Sequence, residues 1–337
     1  MSAELLDAAS GQPVIVTGAA GFIGSHLSQR LLRAGVSVVG VDNLDPFYDA
    51  SMKRENVASV EKTAGESGAS FAFLEADIRD AQAIGRLFEE TRPKIVAHMA
   101  ARAGVRPSIE QPALYASVNL EGTSVLLEAA AKNKVERFAM ASSSSVYGNN
   151  GKVPFSESDP VEEPISPYAA TKRACELTAH VYTSLYDLPV ACLRFFTVYG
   201  PRQRPDLAIS KFLSLVADGK EIPMFGDGTT SRDYTYIDDI IDGVVASILR
   251  IPDHGYRIWN LGGNQPVTLS RMIEVIGEAV GREPNIKQLP AQPGDVDRTY
   301  ADLTRSNEEL GYMPNIPFET GVTRQWKSVL DRRGVSA

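Results

Sequence analysis

The sequence predicts an α/β protein: a doubly wound parallel sheet followed by a smaller C-terminal α/β part. Three observations carry this expectation. An apolar run near the start ends in three spaced glycines, further apolar runs alternate with amphipathic stretches as far as residue 197, and Tyr168 and Lys172 stand four residues apart in SPYAATKRACE. Strands alternating with helical patterns in this way build parallel sheets.

The first strand is Val14, Ile15 and Val16, a short β-branched run of the kind found in buried parallel strands. Gly18, Gly21 and Gly24 follow directly. Gly18 permits a tight turn, Gly21 lets the backbone approach a pyrophosphate, and Gly24 lets the next helix pack closely on the sheet. Phe22 and Ile23 open that helix, whose N-terminus faces the phosphates. The second strand, VSVVGVD, ends in Asp42, 18 residues past Gly24, with Asn43 beside it. A carboxylate there accepts from a ribose 2′-hydroxyl and repels a 2′-phosphate, so the implied cofactor is NAD and not NADP.

Three more runs read as parallel strands: FAFLEAD ending in Asp77, KIVAHMA carrying His98, and VERFAMASS leading into the serines 142–145. Ligands of such sheets bind beyond the carboxyl ends of the strands. Asp77 and Ile78 are therefore expected near the adenine, and Ala100 and Ala101 near the pyrophosphate. Asp77 is equally suited to cap the helix DAQAIGRLFEE. His98 reads as a strand-end packing residue. Asn119 completes the candidate cofactor contacts.

On a helix, Tyr168 and Lys172 share a face. An ammonium beside a phenol favours the phenolate, which makes Tyr168 the candidate proton acceptor. Taken alone, such a pair is common on amphipathic helices as a half-buried tyrosine with a solvated lysine.

Composition excludes several classes. The chain has 337 residues, 43% hydrophobic and 23% charged, as expected of a globular protein with one or two domains. A net charge of −8 and the lack of a basic tract argue against a nucleic-acid partner. Cys175 and Cys192 have no paired spacing and no neighbouring histidines, so neither a metal site nor a disulfide is expected. No stretch approaches the length of a membrane span and the first residues do not resemble a signal peptide, which predicts a cytoplasmic protein with no membrane partner.

After PVACLRF the regularity loosens. Residues 196–239 are rich in Gly, Pro, Asp and Arg, as expected of ligand-holding loops. A helix at DDIIDGVVASILR and a strand at YRIWNLGG return to the sheet. The expected division is a cofactor domain of residues 11–197 plus 236–262, and a substrate domain of 198–235 plus 263–330.

Together these segments resemble the extended short-chain dehydrogenase/reductases that act on nucleotide sugars. TGAAGFIGSHL, Asp42, HMAARAGVRPS, SSSSVYG, SPYAATKRACE, RFFTVYGP and GDGTTSRDYTYIDD occur in that family's order, across nearly the whole chain. The resemblance implies a Rossmann-like domain with NAD, a C-terminal domain gripping a nucleoside diphosphate sugar, and a homodimer formed through helices at 108–133 and 166–186. Relatives that dehydrate hexoses carry an Asp-Glu pair before Val-Tyr-Gly, and decarboxylating relatives commonly carry a Glu. This chain has Ser144 and Ser145 there, a pattern that looks like an epimerase. By the same resemblance Ser143 binds the sugar 4-oxygen alongside Tyr168, while Lys172 holds the nicotinamide ribose.

Residues 194–208 and 103–108 resemble the corresponding stretches of UDP-glucuronate 4-epimerases. Thr197 and Arg204 match positions near the sugar carboxylate, with Arg106 a weaker candidate. A guanidinium suits a carboxylate because two N–H donors meet two oxygens. Arg202 and Arg204 can also be read as surface loop cations. Arg232 and Arg298 match diphosphate contacts, and Asp295 a ribose contact. Arg102 replaces a common Gln and Met99 a common Leu. The implied reaction is NAD-dependent 4-epimerisation of UDP-glucuronic acid to UDP-galacturonic acid through a transient 4-keto sugar. A UDP-galactose or UDP-N-acetylhexosamine 4-epimerase, a UDP-glucuronate decarboxylase and a non-catalytic NAD-binding sensor remain open.

Overall fold

The computed structural model describes residues 2–290 and 297–334. The strands, in chain order, begin with β1 Val14–Thr17, β2 Val38–Asp42, β3 Phe71–Glu75, β4 Ile95–His98, β5 Arg137–Ser143 and β6 Val190–Phe195. They continue with β7 Thr197–Tyr199, β8 Ile222–Phe225, β9 Ser231–Tyr236, β10 Tyr256–Leu261, β11 Pro266–Thr268 and β12 Ile286–Leu289.

Seven strands form one parallel sheet in the order β10-β6-β5-β4-β1-β2-β3. The continuous apolar runs of β1, β4 and β6 are buried along their length, because helices cover both faces. Helices Phe22–Arg33, Ala50–Ser67 and Ile237–Arg250 pack on one face, and Ala81–Thr91, Gly122–Lys132 and Pro167–Tyr186 on the other. Each face has its own core, one around Leu27, Leu31 and Val245, the other around Phe88, Leu126 and Phe138. The chain's direction of progress reverses between β1 and β4, which opens a crevice at their carboxyl ends.

The expected fold class and main strands are present. Residues 196–239 hold more order than their composition suggests. Ile209, Phe212, Leu213 and Val216 form a helical apolar stripe, and Ala208–Ala217 is a helix buried along it. β7, β9 and β11 form a small sheet there, and β8 pairs with β12. An additional helix, Ser2–Ala9, seats Leu5 in the core. The helix expected over 108–133 is broken at Gln111 and carries a π-helical turn at Ala116–Glu121. Among the described residues no helix is long and apolar enough to cross a membrane.

Candidate active site

A cavity of about 540 Å³ lies over the carboxyl ends of the central strands. Its first wall is the glycine turn. Gly18 sits at φ +69, where a Cβ would lie 2.8 Å from Ala100 N, and a Cβ on Gly24 would overlap the Gly18 carbonyl oxygen. Only glycine fits either position. Helix Phe22–Arg33 then begins with Gly21 as N-cap and no capping side chain, so its leading N–H groups face the cavity available to a phosphate.

Asp42 is buried at the end of β2, where Ala20 N–H donates to it at 3.2 Å and Leu44 N–H at 2.9 Å. Burial pushes its carboxyl above the usual range, against the opposing effect of Lys53. The Lys53 ammonium stands 3.9 Å from Asp42 and 4.9 Å from the Tyr48 ring centroid. Sequence reading did not single out Lys53, since a lysine in an exposed-looking helix carries no distinctive spacing. Neutralised by Asp42, it leaves no surplus positive charge for a 2′-phosphate.

Asn43 and Asp77 meet beside this end, with Asn43 Nδ2 donating to Asp77 at 3.0 Å. Arg79 donates from its backbone and its side chain to the same carboxylate, which lowers the Asp77 pKa to about 2. The helix Ala81–Thr91 is capped by Asp80 and not by Asp77, because Asp80 stands the right distance before Gln82 and Ala83. Ile78, Ala100 and Ala101 line the cavity as expected, with Phe22 and Ile23.

His98 is buried between Thr17 Oγ1 at 2.7 Å and Thr123 Oγ1 at 3.0 Å. Burial lowers its pKa to about 3, so it is neutral and structural. Asn119 does not line the cavity. Its amide is consumed by the protein, accepting from Arg102 N–H at 2.8 Å and donating to Arg102 O and Thr171 Oγ1, each at 3.0 Å. It holds the wall and does not form it.

The candidate reacting side chains come from the end of β5 and from helix Pro167–Tyr186. Ser166 caps that helix by accepting from Ala169 N–H at 3.1 Å, and Pro167 pre-sets its first turn. One turn apart, Tyr168 lies half-buried in the cavity wall and Lys172 is buried, its ammonium donating to Ala141 O at 2.7 Å. Serines 142–145 all line the cavity, the first two at the end of β5 and the next two in the 3-10 turn that follows it. Ser142 donates to Glu176 at 2.6 Å, and Ser143 and Ser145 are hydrogen-bonded to each other.

Glu176 continues the Tyr168 and Lys172 face by another turn and receives Arg194 Nε and Nη2, both at 2.9 Å. Burial pushes its carboxyl up, but Arg194 prevails and holds it below the usual range. This buried pair ties the helix to β6. The signal was available in the eight-residue spacing from Tyr168 and in an arginine inside the apolar run VACLRF.

At the far end Thr197, Arg204 and Arg232 line the cavity. Arg204 donates from Nε and Nη2 to Asp206 at 3.0 and 2.9 Å. Arg202, two residues earlier, turns away to Ser25, Gln29 and Ser59, and neither arginine is a free surface cation. Arg106 lies against Phe225, 6.0 Å from its ring centroid, and Arg298 is exposed; neither lines the cavity. Asp295 falls outside the described residues. Among those described, no group of three or more His, Cys, Asp and Glu side chains is placed to hold a metal.

A glycine cradle, a ribose-side carboxylate and a Tyr-Lys pair beside a serine define a Rossmann-type enzyme of the short-chain dehydrogenase/reductase class. The family model described as GDP-mannose 4,6 dehydratase matches residues 15–325. The chain belongs to this family of nucleotide-sugar epimerases and dehydratases. It is 39% identical over 328 residues to a probable UDP-glucuronate 4-epimerase of Rhizobium meliloti, covering 92% of this chain and 94% of that one. It is 40% identical over 311 residues to the UDP-glucuronate 4-epimerase of Thermodesulfobacterium geofontis, with 92% and 94% covered. The structure of UDP-glucuronic acid 4-epimerase from Bacillus cereus with UDP-glucuronic acid and NAD superposes with a TM-score of 0.85 at 34% identity, covering 95% of this chain and 99% of that one.

Proposed function

We propose that the chain is an isomerase, an NAD-dependent 4-epimerase that converts UDP-glucuronic acid to UDP-galacturonic acid. The observation that carries this reading is the pairing, in one cavity, of Tyr168, Lys172 and Ser143 with Thr197 and Arg204. The first three handle an alcohol and the last two suit a carboxylate.

The glycine cradle and Asp42 fit NAD, which when bound supplies reversible oxidation at the sugar carbon 4. Tyr168 takes the proton of the 4-hydroxyl and returns it after the keto sugar has presented its other face. Ser143 hydrogen-bonds the 4-oxygen, and Lys172, fixed by Ala141 O, holds the nicotinamide ribose. Arg232 neutralises the diphosphate, a role extended to Arg298 and Asp295 by the family pattern. Arg106, the weaker candidate for the carboxylate, lies against Phe225.

A 4-keto uronate is a β-keto acid and loses carbon dioxide when its carboxylate aligns with the carbonyl π system. Arg204, Thr197, Ser144 and Ser145 hold the carboxylate out of that alignment. Ser144 and Ser145 are poor proton reservoirs, which separates this site from one that dehydrates.

The cofactor domain comprises residues 11–197 and 236–262, and the substrate domain 198–235 and 263–330. Two copies pair through residues 108–133 and 166–186, a reading supported by Leu177, Val181 and Leu185, which are 53%, 48% and 68% exposed along one helical stripe. Cytoplasmic location agrees with two buried free thiols.

The test is proton NMR of purified protein with UDP-glucuronic acid and no added nicotinamide. UDP-galacturonic acid is the expected product, formed by retained NAD. A pentose product would show decarboxylation and overturn the reading of the serines. No conversion even with NAD supplied would remove the uronate assignment.

A further inference from the structure

Three loops meet at the rim between the two ends of the cavity. The loop after β2 carries Asp45 and Phe47, the loop after β4 carries Arg102, and the segment after β7 carries Arg204. Both guanidiniums lie over the Phe47 ring, each with Cζ 5.0 Å from its centroid. Arg102 Nη1 donates to both Asp45 oxygens, at 2.8 and 2.9 Å, and the same carboxylate accepts from Phe47 N–H at 2.9 Å. Arg102 therefore fixes the turn that presents the ring.

Arg204 is held on several sides. Asp206 takes its Nε and Nη2 edge, Ala103 O accepts from Nη1 at 3.4 Å, and Phe47 supports its face. A guanidinium has five N–H donors. Those contacts occupy three and leave two for a ligand. A long arginine side chain otherwise loses considerable rotamer freedom on binding an anion, so a preset guanidinium binds it more tightly. The loop that does the presetting begins at Asp42, on the ribose side of the cofactor end, and continues through tight turns in which Leu44 N–H donates to Asp42 and Asp45 N–H to Asn43.

We propose that Phe47 is a specificity-determining positioning residue: held by Arg102 through Asp45, it presets the Arg204 guanidinium for the substrate carboxylate. This rests on the uronate reading given above. It also accounts for Arg102, since a glutamine in its place has no charge to pair with Asp45 or to lie over the ring.

The test uses the full chain in a Tyr168→Phe background, which binds without turnover. Calorimetry compares the affinity for UDP-glucuronic acid with that for UDP-glucose. Phe47→Leu is expected to lose roughly tenfold of the preference for the uronate, the range of a partly desolvated cation–π contact, and Arg102→Gln about threefold. Phe47→Trp retains the preference. With Tyr168 restored, the loss from Phe47→Leu falls in KM for the uronate and not in kcat, and NAD content is unchanged.

Equal weakening of both UDP-sugars by Phe47→Leu, no weakening of either, or loss of NAD with both would overturn the assignment. A parent protein with no preference for the uronate would overturn the functional reading, and this assignment with it. A parent that prefers the uronate, paired with a Phe47→Leu variant that keeps the preference, removes only the role of Phe47.

Discussion

The two ends of the crevice are made differently. The cofactor end is backbone: Gly18 and Gly24 where a Cβ would strike other main-chain atoms, and Asp42 locked by two N–H groups. The end proposed for the sugar is side chain: Arg204, Phe47, Arg102 and Arg232, delivered by separate loops and by β9, with both Arg102 and Arg204 lying over Phe47. A dinucleotide is thus met by a surface that can hardly be altered. The sugar is met by groups that can be exchanged singly, which lets one scaffold serve many nucleotide sugars.

The largest expected effect separates chemistry from both ends. Tyr168→Phe should lower turnover of UDP-glucuronic acid about a thousandfold while NAD content and substrate affinity stay within about twofold. Steady-state kinetics, with cofactor measured after denaturation, checks it, and near-full turnover would remove Tyr168 as the proton acceptor. Gly24→Ala should break the cofactor end by forcing the turn open, at about 3 kcal/mol of stability and with loss of copurifying NAD. Thermal melting and cofactor extraction read both losses. Arg204→Ala should break only the sugar end, raising KM for the uronate roughly thirtyfold, about 2 kcal/mol, with NAD retained. Equal loss of NAD in this variant would contradict the division.

The smallest effect lies beneath the cofactor end. The His98 pKa is lowered to about 3 in the fold, against an ordinary value of 6.5. Between these values the unfolded chain takes up a proton that the folded chain refuses. Stability is therefore complete above pH 6.5 and is lost as pH falls toward 3, by roughly 2 kcal/mol at pH 5 from this residue. His98→Gln should lose correspondingly less between pH 7 and 5 in denaturant melts; an unchanged loss would mean that other groups dominate.

The legibility of the site follows the same division. Gly18, Gly21, Gly24 and Asp42 are readable because a strand, a turn and a helix impose a local spacing on them. Tyr168 and Lys172 are readable because a helix sets theirs. Glu176 and Arg194 escaped notice, since the pairing that buries both joins a helix to a strand. The helix Ala208–Ala217 was hidden by the loop-like residues on either side of its apolar stripe. Asn119, on the π turn, does not line the cavity, and its amide is taken up by Arg102 and Thr171. Phe47 carries no signal in the sequence, since the two guanidiniums that lie over it come from distant loops.

By itself the sequence determined the parallel α/β architecture and the local spacing of the glycines, of Asp42 and of Tyr168 with Lys172, because each depends on residues within a few turns of one another. What Arg202 and Arg204 each touch was decided only in three dimensions. Arg202 and Arg204 stand two residues apart, yet Arg202, at φ +65, turns to Ser25, Gln29 and Ser59, while Arg204 reaches the cavity. The direction of a loop side chain is set by its own backbone angles and by partners far away in the chain. Spacing along the sequence carries no record of either.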